Sequence, residues 1–475
     1  MEFLLPQIDV IQRAYHNAYS LDNWAVGRGA AKLKMIDHSM YTDKCDMSKT
    51  KTFLKKENNI VTFQLRGELG AYPKKARGIQ GTVNEKTAYM LASQQEAICR
   101  ALGGREITVP ITFSGIEFRL FFASKMSSDD IAEFMEEAEL ARSSYPDSLY
   151  DERDGSNWDS NVQVSHREAI IGLYSLLNEE LAAQTAKGVS IRGRVRCPQG
   201  TISYEVDGTV KSGHWDTSAG NGGLNVETVA QAAKALYSLG LRELRGLVHG
   251  DDYLGCLYFD RAVSPIQVAR RLQQAESNLG IVPKRSLFRE IEHVSFISLT
   301  FYRGIDNRFA ALPKMGKIFG KLFWTTTPLR GRDPRALASA CAQTFYPLYK
   351  SYPPMRAFLA HHMQEPPIGT YADSHYAERL PNRLRTQVDW EQQNLIKYGF
   401  STCTLAVIVM FFNGLGSQSA GLIQHDCVTA MIQVDSNDPA DRPGALVTNE
   451  DLTEVVKHAS EEPDKQGQKG RNGSG

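Results

Sequence analysis

Asp251 and Asp252 stand side by side in Leu247-Val248-His249-Gly250-Asp251-Asp252-Tyr253-Leu254-Gly255, where a short polar turn separates two apolar runs. Gly-Asp is ordinary turn chemistry, so the segment alone predicts only a β-hairpin. Two like charges at the tip of a hairpin flanked by Leu247, Val248, Leu254 and Leu257 nevertheless offer hard oxygen donors, the kind Mg2+ prefers. Upstream, Asp154-Gly155-Ser156-Asn157-Trp158-Asp159 places two further carboxylates five residues apart. Aspartates on adjoining strands can hold two divalent ions about 3.5 to 4 Å apart, which activate a hydroxyl nucleophile and neutralise a triphosphate, the requirements of nucleotidyl transfer. Asp154 and Asp251 are the expected bridging ligands for two Mg2+, with Mn2+ able to substitute. Asp252, across the tight turn, is expected as a peripheral ligand or a support.

Positioning such groups requires strands and helices in a definite order. Ser165-His166-Arg167-Glu168 matches a capping box, followed by Ile170, Leu173, Tyr174, Leu177 and Leu181 at helical spacing. Asp207-Gly208 between Ile202–Val206 and 209–211 predicts a second hairpin, whose far arm leads into Ser212-Gly213-His214-Trp215-Asp216-Thr217-Ser218-Ala219-Gly220-Asn221. A helix is expected over Val226–Leu239, closed by Gly240. After the carboxylate hairpin, Ser264-Pro265 opens a helix with Val268, Leu272, Ala275 and Leu279 on one face and Gly280 at its end. The run from Val294 to Tyr302 alternates as a strand that turns at Arg303-Gly304. This order predicts an α+β fold with helices packed on one face of an antiparallel sheet.

A chain of 475 residues, 42% hydrophobic and 23% charged, is long enough for two or three lobes. Its 54 basic and 54 acidic residues cancel, which argues against a wholly cationic nucleic-acid binder. The balance is uneven along the chain: Lys49, Lys51, Lys55, Lys56, Arg66, Lys74, Lys75 and Arg77 crowd one stretch suited to phosphates, and from Asp435 onward nine acidic residues face five basic ones. Seven scattered cysteines without CxxC spacing indicate neither zinc nor a disulfide framework. No charged residue lies between Lys397 and His425, and Leu405–Phe412 is wholly apolar. Crossing a bilayer takes roughly 20 predominantly apolar residues, so burial inside a lobe is the expectation and membrane contact the alternative.

Together, DGSNWD, the 212–221 segment in the spacing SGxxxTxxxN, and HGDD resemble the palm motifs of RNA-dependent RNA polymerases of positive-strand RNA viruses, over residues of roughly 50 to 305. The Gly220-Asn221 pair and the preceding ISYEVDGTVK are similar to tombusvirus-like and nodavirus-like enzymes, and Trp158-Asp159-Ser160 to the calicivirus form of the first motif. The resemblance implies a right-hand polymerase fold with fingers, a palm built on an antiparallel sheet, and a thumb. It implies that Asp159, Ser212, Thr217 and Asn221 sense the ribose hydroxyls of an incoming nucleotide, and that Gly213 lets its loop move against the template. Phe53-Leu54-Lys55-Lys56-Glu57 and Lys74-Lys75-Ala76-Arg77 resemble the fingertip elements, which implies that Lys55, Lys56, Lys75 and Arg77 grip the triphosphate. Leu279–Lys284 resembles the fourth palm motif, with Lys284 as the acid for departing pyrophosphate and Arg285 beside it leaving the register open. The 294–302 run would be the primer-grip hairpin, with Phe296 and Ser298 touching RNA.

The implied organisation is an N-terminal region with fingers and fingertips over 1–147, the first palm motif over 148–164, an insertion over 165–205, the remaining palm over 206–305, a mostly helical thumb over 306–435, and a disordered acidic tail over 436–475. The implied activity is RNA-directed RNA synthesis by a two-metal mechanism in viral genome replication and transcription. Its partners are RNA template and product, ribonucleoside triphosphates and other viral replication proteins, in the host cytoplasm or at membrane-associated replication sites. The alternatives are a reverse transcriptase-like polymerase, against which His249-Gly250 and Asp159 speak, and a non-catalytic scaffold that binds RNA and membrane. The charged stretch Ser148–Asp154 is unlike a buried palm strand.

Overall fold

The computed structural model describes residues 1–18, 49–54, 76–80, 97–98, 111–154, 158–197, 200–210, 216–321, 334–363, 380, 383–415, 425–436, 439–448 and 451, with 49–54 and 76–80 described by their backbone alone. In chain order its strands are β1 (Lys49–Leu54), β2 (Ala76–Gln80), β3 (Ile111–Phe113), β4 (Ile116–Phe122), β5 (Asp147–Asp154), β6 (Ser190–Cys197), β7 (Gly200–Asp207), β8 (Leu241–His249), β9 (Asp252–Phe259), β10 (Lys284–Phe288), β11 (Ser295–Phe296), β12 (Leu299–Arg303) and β13 (Phe309–Pro313). The helices are α1 (Ile8–Ala18), α2 (Ser128–Arg142), α3 (Val164–Leu177), α4 (Glu179–Ala186), α5 (Thr217–Ala233), α6 (Pro265–Asn278), α7 (Met315–Lys321), α8 (Pro334–Tyr349), α9 (Pro353–His362), α10 (Trp390–Tyr398), α11 (Thr402–Gly414) and α12 (Asp426–Ser436).

The central element is a six-stranded sheet in the order β10-β5-β9-β8-β4-β3. It is mixed rather than antiparallel throughout, because β4 lies parallel to β8. That pair also places residues 111–142, expected with the fingers, in the same unit as the carboxylate hairpin. Strand periodicity splits the side chains between two layers. Leu149, Tyr253, Leu257, Phe259 and Leu287 face a core built with α3, α5 and α6. Tyr150, Leu254, Cys256, Tyr258 and Phe288 face α2 and the small sheet β11-β12-β13. The sheet is therefore covered on both faces, not on one as the element order implied. Helix α5 approaches closely because Gly222 has no Cβ; one placed there would lie 1.6 Å from the Phe122 ring.

Strand β5 carries Asp151, Glu152 and Arg153 into the interior, and each of the three finds a partner from a remote part of the chain. Arg153 donates to Glu276 on α6, while Arg285 donates to Glu276 at 2.6 and 2.8 Å and to Asp151 at 2.6 Å. Arg153 also lies over the rings of Trp158 and Tyr253. On the opposite face Glu152 accepts from the backbone and hydroxyl of Ser295, both at 2.8 Å, and from two nitrogens of Arg442, both at 2.7 Å. Buried charge is tolerated when it is paired with opposite charge, which is how so polar a strand sits second from the edge of the sheet, the Nε and Nη2 of Arg153 being buried without a hydrogen-bond partner among the described residues.

Several local expectations are corrected. Asp207-Gly208 is not a hairpin turn: β7 pairs back on β6 in the register Cys197↔Gly200, and the Gly208 amide bonds Val189. The cap of α3 is Gln163 with His166, ahead of Ser165. Helix α5 begins at Thr217, nine residues before the expected start at Val226; a 3-10 segment over Lys234–Leu239 continues it to left-handed Gly240, at φ 97°. The 294–302 run turns at Arg303-Gly304 as expected, with Arg303 pairing with Phe309 of β13, but it is also broken at Ile297-Ser298, with φ of 45° and 67°, so β11 and β12 form a tight hairpin of their own. Residues 439–448, expected in a disordered tail, pack on the six-stranded sheet, with Leu446 bonded to Leu287 and Val447 in the core. The helix at Ser264-Pro265 starts and ends where expected, with Gly280 at φ 78°.

The apolar run forms α11, with Leu405, Ile408 and Phe412 buried in a helical cluster shared with α7, α9 and α12, while Val407 and Met410 are exposed. No single described helix is long and apolar enough to cross a bilayer; α10 and α11 pass only together and bend by 99° where they meet.

The ionic lattice behind β5 has a measurable consequence. Glu276→Gln leaves two buried guanidinium groups short of a carboxylate and should lower unfolding stability by about 3 to 5 kcal/mol in urea denaturation. A loss below about 1 kcal/mol would show that the lattice is not holding α6 to the sheet.

Candidate active site

The carboxylate hairpin forms as its residues dictate. His249 pairs with Asp252 across a two-residue loop, Gly250-Asp251, and Gly250 adopts φ 61° at the first central position, the pattern of a type II′ turn. Any other residue type would be strained there. Strand β5 runs antiparallel to β9, and its last register pair is Arg153↔Tyr253. One step further on, Asp154 meets Asp252. Asp252, expected as a peripheral ligand or a support, lies beside Asp154 on the cleft, with Asp251 at the tip of the turn.

The cleft has a volume of about 350 Å3 and opens between this edge of the sheet and the β11-β12 hairpin. Asp154, Asp252, His249 and Glu152 line it together with Ser295–Ser298, Lys314, Lys317, Asp435 and Arg442. Burial pushes the Asp252 carboxyl up to about 7, helped by the negative charges of Asp251, Asp154 and Glu152. In the same cleft, Lys314 is buried and held well below the ordinary lysine range, by desolvation and by the neighbouring charge of Arg442. Lys317 donates to the Ser298 hydroxyl at 3.0 Å, and Lys397 pairs with Asp435 at 3.0 Å. The cleft thus gathers carboxylates and basic side chains in one place.

Helix α5 packs beside the carboxylate hairpin, where buried Asn225 donates to the Gly250 carbonyl at 3.0 Å. The Asn221 amide donates to Asp159 at 2.9 Å, so two members of the expected ribose-sensing set meet, and Thr217 is the first residue of the same helix. Buried Asp216 anchors that end of the helix, accepting from Arg167 at 2.6 Å and from the Tyr174 hydroxyl. Ser212 and Gly213 lie outside the described residues, as do Lys55, Lys56 and Lys75. Arg77 is placed on β2 opposite Phe53 of β1. Lys284 stands directly opposite Asp154 on β10 and is exposed, whereas Arg285 is consumed by the buried lattice. The structure therefore separates two neighbours that sequence could not. Ser298 and Phe296 both line the cleft, and most of the Phe296 ring is buried in the core behind the hairpin.

Sequence reasoning missed Glu152, Lys314, Lys317, Asp435 and Arg442, which approach the carboxylates only through tertiary folding. It also missed Asn225, one helical turn beyond Asn221. The Asn225 spacing was a readable signal, since positions four apart share a helix face.

Oxygen-only donors suit Mg2+ or Mn2+ and not zinc. Among the described residues no three His, Cys, Asp or Glu side chains gather closely enough to hold a metal ion by themselves. That is compatible with Mg2+, which usually takes one or two carboxylates and completes its shell from water and substrate phosphate. Asp154 and Asp252 on the cleft, with Asp251 beside them, are the residues that would hold such an ion.

Because Asp252 is raised above its unfolded value, its protonated form favours the fold; that contribution is full below about pH 4 and is lost as pH rises through about 7. Metal-free protein should therefore lose thermal stability over this window, Asp252→Asn should remove that part of the slope, and Mg2+ should raise Tm more at pH 8 than at pH 5. Thermal scans across pH with and without Mg2+ check this; an Asp252→Asn profile identical to wild type would contradict it.

No family model matches the chain, and no curated protein matches it, so the functional reading rests on these residues and their geometry.

Proposed function

We propose that this chain is an RNA-directed RNA polymerase, with the six-stranded sheet as the palm of a right-hand fold and the helical cluster around α7–α12 as its thumb. The observation that carries the reading is that Asp154 and Asp252, from adjoining strands, line one cleft, while α5 holds the carboxylate hairpin through Asn225 and Asp159 through Asn221. Asp154, Asp251 and Asp252 would hold two divalent ions, which supply charge neutralisation for the triphosphate and activation of the attacking hydroxyl when bound.

The chain's own residues account for the remaining requirements. Asn221 and Asp159 are polar and partly desolvated, so a nucleotide lacking its ribose hydroxyl would leave them unpaired at about 1 to 3 kcal/mol per group. Lys284, across the strand pair from Asp154, can deliver a proton towards departing pyrophosphate. Arg77, with Lys55, Lys56 and Lys75, would bind the triphosphate from the fingers. Ser298 and Lys317 border the cleft where the growing strand would lie.

The experiment is template-directed incorporation: purified protein, a homopolymeric RNA template, the complementary nucleotide and Mg2+ or Mn2+, with and without primer. Wild type should synthesise RNA. Asp252→Asn or Asp154→Asn should cut the rate by about 10²- to 10³-fold or more, while RNA binding stays close to wild type. Asn221→Ala should lower the preference for ribonucleotides over deoxynucleotides by roughly 5- to 150-fold. Wild-type preference for deoxynucleotides would favour a reverse transcriptase instead, and full activity in Asp252→Asn would refute the ion assignment.

A further inference from the structure

We propose that Asn225 is the positioning residue of the ion site: it fixes the carboxylate hairpin to α5, and so joins the ribose-sensing pair and the carboxylates through one helix face. The inference rests on Asp154, Asp251 and Asp252 forming a divalent-ion site.

Asn225 is fully buried, and its amide donates to the Gly250 carbonyl at 3.0 Å and to the Asp252 carbonyl at 3.3 Å. These two carbonyls bracket Asp251, so one side chain spans the whole turn that carries both acidic groups. A two-residue hairpin loop is otherwise held only by its ladder, and the last ladder pair here is His249↔Asp252. The other end of the same amide, Oδ1, is buried without a hydrogen-bond partner among the described residues. An unpaired buried acceptor costs about 1 to 3 kcal/mol, so packing alone does not favour asparagine at this position. Donation to the turn is what an apolar residue could not supply.

The position along the helix adds the second half of the argument. Asn221 and Asn225 are four residues apart, one above the other on α5. The first holds Asp159 and the second holds the hairpin. The Asn221 Oδ1 is likewise buried without a hydrogen-bond partner among the described residues. A rotation or shift of α5 would therefore move both contacts together, and the close approach at Gly222 leaves the helix little freedom to shift one without the other.

The test uses the whole chain and Mn2+ alone as probe, followed by electron paramagnetic resonance, with thermal unfolding of each metal-free variant alongside. Asn225→Ala removes both donors, and Asn225→Ser, which keeps a small polar group, serves if the alanine variant does not fold. Loss of a residue that orients ion ligands typically weakens affinity about 10- to 100-fold, and that weakening is expected at a temperature where the variant is fully folded. A folded Asn225→Ala or Asn225→Ser protein binding Mn2+ within about twofold of wild type would overturn the positioning role, leaving any Tm loss as purely structural. Should wild type bind no Mn2+, or Asp154→Asn bind it equally well, the ion site itself would fall, a result distinct from a failure of Asn225 alone.

Discussion

Antiparallel pairing of β5 with β9 brings the carboxylates of Asp154 and Asp252 to the same corner of the sheet, with Asp251 one residue away. Burial of this corner raises the Asp252 carboxyl to about 7, and the like charges of Asp251, Asp154 and Glu152 add to it. The surroundings offset that cost. Arg442 pairs with Glu152 so that a fourth negative charge is neutralised, and Lys314 and Lys317 line the same cleft. What positive charge the chain does not supply, a divalent cation would.

Such a site works only if its groups cannot drift, and the supports come from three directions. Behind β5, the Arg153–Glu276–Arg285–Asp151 lattice ties the strand to α6 and β10. In front, the β11-β12 hairpin and residues 439–448 bind Glu152 and β10. From the side, α5 clasps the turn through Asn225. Precise positioning by rigid elements and their hydrogen-bonded supports is what separates a cluster of acids from a site capable of directed chemistry.

Sequence made the carboxylate hairpin legible because its one special backbone position, Gly250, is occupied by the residue that such a position demands, between runs of strand-like apolar residues. Helix α6 was legible for the same reason, with Pro265 at its start and Gly280 beyond its end. Strand β5 was not, because its charges are neutralised by residues as distant as Glu276, Arg285 and Arg442, which no local pattern reveals. The turn at Ile297-Ser298 was hidden by the absence of glycine or asparagine, so two short strands read as one. Asp207-Gly208 misled in the opposite sense: a strong turn signal that tertiary contacts with Val189 put to another use. Of the candidate site, the acidic groups and Asn221 were readable from spacing, while the basic side chains of the cleft and the Glu152–Arg442 pair required the fold.

The central claim is that Asp154 and the 251–252 turn share bound cations, and iron-directed cleavage tests it most directly. With Fe2+ in place of Mg2+, ascorbate and peroxide generate radicals that cut the backbone next to the ion. Mass spectrometry should then find cuts near residue 154 and near residues 250–252 together, both suppressed by excess Mg2+. Cleavage confined to one of these segments, or found only elsewhere in the chain, would contradict a shared site.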